Sequence, residues 1–135
     1  MRELKLDEAR LDRLDEVLAF VDGILEAQDC PMKVQIQLDV AVEELYVNIA
    51  RYAYAPETGP ATVRVATEGP AVAITFVDGG VPFDPLAKPD PDITLSADKR
   101  QIGGLGIYMV KKSMDDMKYE YREEQNVLTI RKKLA

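Results

Sequence analysis

The sequence contains no histidine. That absence removes the commonest general base, the Ser-His-Asp triad and every zinc site that uses an imidazole ligand. Any chemistry must therefore run on carboxylates, hydroxyls or a metal held by other groups. Cysteine is nearly absent as well: Cys30 stands alone and cannot close an internal disulfide, which fits a reducing compartment, and it is read as a structural residue. No apolar run approaches the roughly 20 residues of a membrane span. The stretch Met1 to Lys5 lacks the apolar segment of a signal peptide, so a cytoplasmic protein with no membrane partner is expected. Basic residues are outnumbered, 17 Lys and Arg against 24 Asp and Glu, for a net charge of -7. Nucleic-acid binding is driven by neutralising phosphates with basic side chains, so direct nucleic-acid contact is not expected.

What is present has the balance of a soluble globular chain: 135 residues, 47% hydrophobic and 30% charged, with no low-complexity tract. This length holds one domain, and residues 1–135 are read as one unit around one core. Arg2 to Leu6 alternates charged and apolar residues and predicts a short strand. An amphipathic helix follows over about 8–28, with Leu11, Leu14, Leu18, Val21 and Leu25 on one face and Pro31 closing it. A second helix is expected over about 33–53, burying Val34, Leu38, Ala41, Leu45, Ile49 and Tyr52. The pattern then changes. Residues 61–67 alternate, Glu68-Gly69-Pro70 turns, and Ala71 to Val77 is almost continuously apolar, predicting a hairpin whose second strand is buried on both faces. Residues 79–103 carry Pro82, Pro85, Pro89 and Pro91 without sustained periodicity, the signature of a lid or binding loop. A helix over about 105–116 and strands at 118–122 and 127–132, separated by a turn at 123–126, complete the chain. This order predicts an α+β fold, a two-layer sandwich with a mostly antiparallel sheet and helices on one face.

Three clusters can carry chemistry. Glu44 and Asn48 are four residues apart on the second helix and project from the same side, at the rim of its apolar stripe. A carboxamide oxygen suits a magnesium ion, and a carboxylate beside it can hold a water or take a proton from a hydroxyl. Taken alone, the pair equally fits an exposed glutamate next to a satisfied asparagine. Asp78-Gly79-Gly80 ends the apolar strand; an acid there needs a donor, since a buried unpaired charge is costly, and the exocyclic amine of adenine is one. A plain strand-end turn fits these residues too. Gly103-Gly104-Leu105-Gly106 opens the third helix, where free amides form a phosphate cradle that would let an acidic protein bind a polyanion locally.

In this order the clusters resemble the Bergerat-type ATPase fold shared by histidine kinases, gyrase, a heat-shock chaperone and the anti-sigma serine kinases. Glu44 to Asn48 matches the first box, Asp78-Gly79-Gly80 the second and Gly104-Leu105-Gly106 the third. The resemblance is strongest to the anti-sigma factor serine/threonine kinase branch, through Ala41-Val42-Glu43-Glu44, Asp84-Pro85 and the stretch 102–110. It implies ATP with its adenine on Asp78, Gly80 and Thr129, its phosphates on Gly104 and Gly106, and Mg2+ held by Asn48, with Glu44 as catalytic base. It further implies that Arg100 approaches the terminal phosphate, although a solvated loop charge fits that residue equally. One departure stands out: Tyr52 replaces a histidine frequent among relatives, a change expected to affect the helix end or its packing more than nucleotide binding. The implied partner is a small anti-sigma-factor antagonist, with a sigma factor and a homodimer as further candidates. Two functions follow from the resemblance: a kinase that phosphorylates the antagonist, and a nucleotide-dependent module that sequesters a partner without catalysis.

Overall fold

The computed structural model describes residues 1–86 and 104–134, with the backbone alone at residues 104 and 105. Strand β1 (Arg2–Leu6) leads through a 3-10 turn at Leu11–Arg13 into helix α1 (Leu14–Ala27). Helix α2 (Met32–Asn48) continues into one π-helical turn, Ile49–Ala53. The hairpin β2 (Ala61–Glu68) and β3 (Ala71–Asp78) follows, then α3 (Gly104–Ser113) and a second hairpin, β4 (Asp116–Arg122) and β5 (Gln125–Lys133).

The strands form one five-stranded sheet in the order β1-β2-β3-β5-β4, and every neighbouring pair is antiparallel. Side chains alternate across a sheet. Leu6, Val63, Val65, Val72, Ile74, Phe76, Leu128 and Ile130 therefore share one face, where they pack on Val17, Val21, Leu25, Leu38, Val42, Leu45, Ile107 and Val110 of the helices. The result is the expected α+β two-layer sandwich with its helices on one face. Burying each such side chain contributes roughly 1.5–3 kcal/mol, so this layer is the main source of stability. The opposite face carries small residues under long ion-paired ones: Arg131 reaches both Glu68 (3.0 Å) and Asp116 (3.2 Å). Strand β3 is central and buried on both faces, which accounts for its unbroken apolar run.

Tyr46 lies wholly inside the core, yet its hydroxyl donates to the carbonyl of Arg10 at 2.7 Å, pinning α2 to the segment after β1. Burial pushes this phenol up to about 12, so it stays a donor. Burial also raises the Cys30 thiol, with Asp39 adding to the effect, which makes Cys30 a poor nucleophile, in keeping with a structural residue. No helix among the described residues is long and apolar enough to cross a membrane.

Two helical stripes differ from the sequence expectation. The buried residues of α1 are Val17, Val21, Ile24 and Leu25, while Leu11 is 46% exposed. The 3-10 turn delays the α-helix to Leu14 and changes its phase, so the leucines at 11, 14 and 18 sit at the edge of the stripe. The second helical stripe holds through Ile49, which packs partly buried against the core, but Tyr52 is 57% exposed. The π turn widens the helix there and rotates Tyr52 off the core-facing line.

Candidate functional site

The site begins where β3 ends. Among the described residues the two buried polar side chains are Asp78 (7% exposed) and Asn126 (6%). They face one another because β3 and β5 pair in a register that sets Asp78 opposite Asn126. Asn126 Nδ2 donates to Asp78 Oδ1 at 2.9 Å and to the Val81 carbonyl at 2.9 Å. Its Oδ1 accepts from the Phe83 amide at 3.0 Å and from the Tyr119 hydroxyl. Each position of the carboxamide is thus used.

The turn after Asp78 is held amide by amide. Gly79 N–H donates to the Tyr54 hydroxyl (2.6 Å), Gly80 N–H to Asp78 Oδ1 (2.9 Å) and Val81 N–H to the Ala53 carbonyl (3.0 Å). Glycine is required at position 80, because a Cβ there would run into the Ala53 carbonyl. Asp78 Oδ1 therefore receives two donors, while Oδ2 finds none among the described residues. A carboxylate oxygen with no donor from these residues can accept one from a ligand.

Asp78 lines a cavity of about 530 Å³. Leu45 and Asn48 of α2 and Ile49 of the π turn line it on one side, Phe76 and Leu128 line it from the sheet and Ile107 from α3. Val81, Phe83 and Pro85 line it from the loop that follows β3, and Tyr52 and Tyr119 complete its aromatic lining. An apolar slot with a few convergent polar groups is the form of a small-molecule site.

Beyond the cavity, Glu44 lies one helical turn before Asn48 and is half-buried against the first turn of α3. A Cβ built on Gly106 would overlap the Glu44 carboxylate, so glycine leaves room for that side chain against α3. Burial raises the pKa of Glu44, the neighbouring Glu43 charge adds to this, and Arg51 opposes it. A carboxylate raised in this way is a stronger base than an ordinary surface glutamate.

The structure thus brings Asp78 and Asn48 to one cavity, holds Gly80 in the turn against Asp78 without lining that cavity, and sets Glu44 against Gly106, with Gly104 as the first residue of α3. Thr129 is a correction. Its register partner is Thr75, its hydroxyl lies 3.0 Å from that of Thr75, and both point to the face of the sheet away from the cavity. Alternation along β5 gives the cavity side to Asn126 and Leu128 instead. Arg100 and the part of the expected lid from 87 to 103 lie outside the described residues. Sequence reasoning missed Asn126 and Tyr119, and it assigned Tyr52 to packing, whereas Tyr52 lines the cavity.

The fold has solved counterparts. Over 99% of this chain and 33% of the other, it superimposes on the RsbU and RsbW domains of a Mycobacterium tuberculosis protein with a TM-score of 0.65 at 14% identity. It superimposes on the SiaB-SiaC complex from Pseudomonas aeruginosa with a TM-score of 0.59 at 14% identity, over 96% and 88% of the two chains. In sequence it is 29% identical over 96 residues to the serine-protein kinase RsbW of Listeria monocytogenes, across 67% of this chain and 61% of that relative. The chain therefore spans about three fifths of the length of that curated relative. Family comparison gives a match from residue 8 to residue 132, and the chain belongs to the histidine kinase-like ATPase domain family.

Proposed function

We propose that this chain is an ATP-dependent serine/threonine protein kinase acting as an anti-sigma regulatory factor, which phosphorylates a small antagonist protein in a partner switch. The observation that carries the reading is the placement of Glu44: a half-buried base against the first turn of α3, one helical turn from Asn48 at the cavity. A module that only held nucleotide would have no use for a base at that point. The name of the Listeria relative, a serine-protein kinase, supports the same activity.

The residues present fit ATP and Mg2+. Asp78 retains Oδ2 as an acceptor for an exocyclic amine, and the apolar walls suit a purine. Asn48 offers a neutral oxygen that would hold the cation, and the amides at the start of α3, around Gly104 and Gly106, would receive phosphate oxygens. When bound, magnesium supplies neutralisation of phosphate charge. Glu44 would take the proton of the antagonist hydroxyl as its oxygen attacks the γ-phosphorus, and the bond to ADP breaks on the far side. Arg100 is proposed to approach the same phosphate.

The partner is read as a small antagonist with an accessible serine or threonine, and a sigma factor as the protein released or captured by the switch. The solved complex of SiaB with SiaC, which contains a chain of similar fold, supports a protein partner. A cytoplasmic location and a homodimer belong to the same proposal. The test is to incubate the chain and the small protein encoded beside it with γ-labelled ATP and magnesium. Label on a serine or threonine of that protein supports the kinase. A complex without transfer under any nucleotide condition replaces it with a sequestering module.

A further inference from the structure

Helix α2 turns an apolar ridge toward solvent. Met32, Ile36 and Val40 are spaced four residues apart and remain 70%, 54% and 54% exposed. Single exposed apolar side chains are ordinary on a protein surface, but three on successive turns of one helix form a continuous strip. The next two positions of the same ridge are Glu44 and Asn48. Each four-residue step turns by about 40° around the helix. The ridge therefore winds from open solvent at Met32 to the half-buried Glu44, and then to the cavity at Asn48. Helix α3 adds Met109, also 54% exposed and three residues beyond the Gly106 that meets Glu44. An apolar strip thus leads to the proposed base.

The charges beside this strip run against the rest of the chain. Acids outnumber bases overall, 24 to 17. Yet the first turn of α2 has no acid and no side-chain cap, and it carries Lys33, where the positive end of the helix dipole disfavours a cation. On α3, Lys112 is exposed three residues beyond Met109. Of the acids between Met32 and Glu44, Asp39 turns toward Asp22 of α1, and Glu43 stands next to the base. Residues that weaken a helix start and leave apolar surface in water break local rules for a gain made elsewhere, here in contact with another molecule. Complementarity sets the chemistry of that molecule: apolar at the centre of the contact and acidic at its rim.

We propose that Met32, Ile36 and Val40, with Met109, are the docking surface for the protein that receives the phosphoryl group: it lays an acid-rimmed apolar face along the ridge, which brings its serine or threonine to Glu44. The inference rests on the kinase reading of Glu44 and adds where the substrate protein is held. A hydroxyl on a protein has to be carried to the base by contacts away from the reacting atoms, and this strip runs up to that base. A second copy of the chain is the poorer occupant, because a two-fold contact through the strip brings the same basic rim, Lys33 and Lys112, to both sides.

The probe is the small protein encoded beside this chain. Its complex with the full chain is titrated by calorimetry in ADP and magnesium, and phosphotransfer is followed in ATP and magnesium. Ile36→Glu should weaken the complex by roughly tenfold or more, since it sets a charge at the apolar centre and repels an acidic rim. Ile36→Lys should weaken it less. Leu11→Glu, which adds the same charge at an exposed leucine ahead of α1, should leave it unchanged. ADP affinity and melting temperature should stay at the wild-type values in both Ile36 variants, because Ile36 belongs neither to the core nor to the cavity lining. In transfer, Ile36→Glu should raise KM for the probe with kcat little changed, whereas a disturbance of packing around Glu44 would lower kcat. An Ile36→Glu complex as tight as wild type, or a weakening shared equally by Leu11→Glu, overturns the inference. So does sedimentation in which Ile36→Glu turns a dimer of the chain into a monomer, which would give the strip to a second copy. A wild type that forms the complex but transfers no phosphate loses the kinase reading, and the affinities alone then decide whether the strip holds the partner. A wild type that forms no complex with the probe removes that partner, and the inference with it.

Discussion

Gly106 meets the Glu44 carboxylate so closely that one added methyl group would occupy the same space. The contact ties the first turn of α3 to the side chain proposed as the base, and neither helix alone could fix its position. Gly106→Ala should therefore push the carboxylate out of place. The glutamate is flexible and half-buried, so the expected loss of stability is small, at or below the 1–3 kcal/mol typical of overpacking a core. Phosphotransfer should fall far more than stability. Single-turnover rates beside a thermal melt separate the two, and an unchanged rate in a folded variant would remove Glu44 from the mechanism.

The base itself gives a sharper result. Glu44→Ala should preserve ATP binding and reduce phosphotransfer by about 10²–10⁴, because a general base acts on the attacking hydroxyl and little on the bound nucleotide. Equal transfer by wild type and variant would leave the kinase intact but deny Glu44 its role.

The pH dependence follows from the neighbours of Glu44. The rate should rise as Glu44 loses its proton, and since burial and Glu43 raise its pKa, the acid limb should lie above the roughly 4.3 of an ordinary glutamate. Glu43→Gln removes a like charge and should move the limb to lower pH. Arg51→Ala removes the opposing cation and should move it to higher pH. Shifts in the same direction, or none, would mean that another group sets the limb.

Nucleotide recognition divides between Asp78 and Asn48. Asp78→Asn replaces a charged acceptor that lines the cavity and should cost adenine-nucleotide affinity on the order of 1.5–3 kcal/mol, the worth of a hydrogen bond to a charged group. Asn48→Ala should weaken ATP chiefly when magnesium is present. Calorimetry with magnesium or with chelator tests both, and equal weakening in the two buffers would mean that Asn48 is no metal ligand.

Much of this site was legible in the sequence because strong local signals coincide with it. The apolar run of β3 ends on an acid, and the stripe of α2 fixes which side Glu44 and Asn48 project from. Asn126 was hidden by a turn, whereas Tyr119 lay on an expected strand with nothing in the sequence to mark it as lining the cavity. Residues 123–126 read as a polar connection, yet the hairpin closes with only Glu123 and Glu124, at φ 54° and 62°. Two left-handed residues make the tight turn that matches sheet twist, but glycine or asparagine usually announces it and glutamate does not. The strand therefore starts at Gln125, and Asn126 enters the sheet opposite Asp78. Thr129 failed for a related reason, since resemblance identified a hydroxyl on the right strand while the two-residue alternation assigns it to the wrong face. Tyr52 depended on a π turn that no apolar periodicity reveals.

The last prediction lies away from the cavity, between α1 and α2. Asp22 and Asp39 face each other there, and each has its Oδ1 sealed from water with no hydrogen-bond partner. Burial first, then a hydrogen bond to Asp22 that can form only when Asp39 carries a proton, and the charges of Asp22 and Glu26, push Asp39 up to about 7. In the unfolded chain an aspartate titrates near 3.9, so between about pH 4 and pH 7 the folded state holds a proton that the unfolded state has lost. Stability linked to Asp39 is therefore fully present on the acid side and is lost as pH rises through about 7. Asp39→Asn keeps a donor for Asp22 and removes the titration. It should be more stable than wild type near pH 8, by about 1 kcal/mol once solvent screening is allowed for, and the gain should shrink toward pH 5. Urea unfolding of both proteins at the two pH values isolates the pair, because every other titrating group is common to them. A gain that is the same at both pH values, or larger at pH 5, would mean that the two carboxylates do not share a proton.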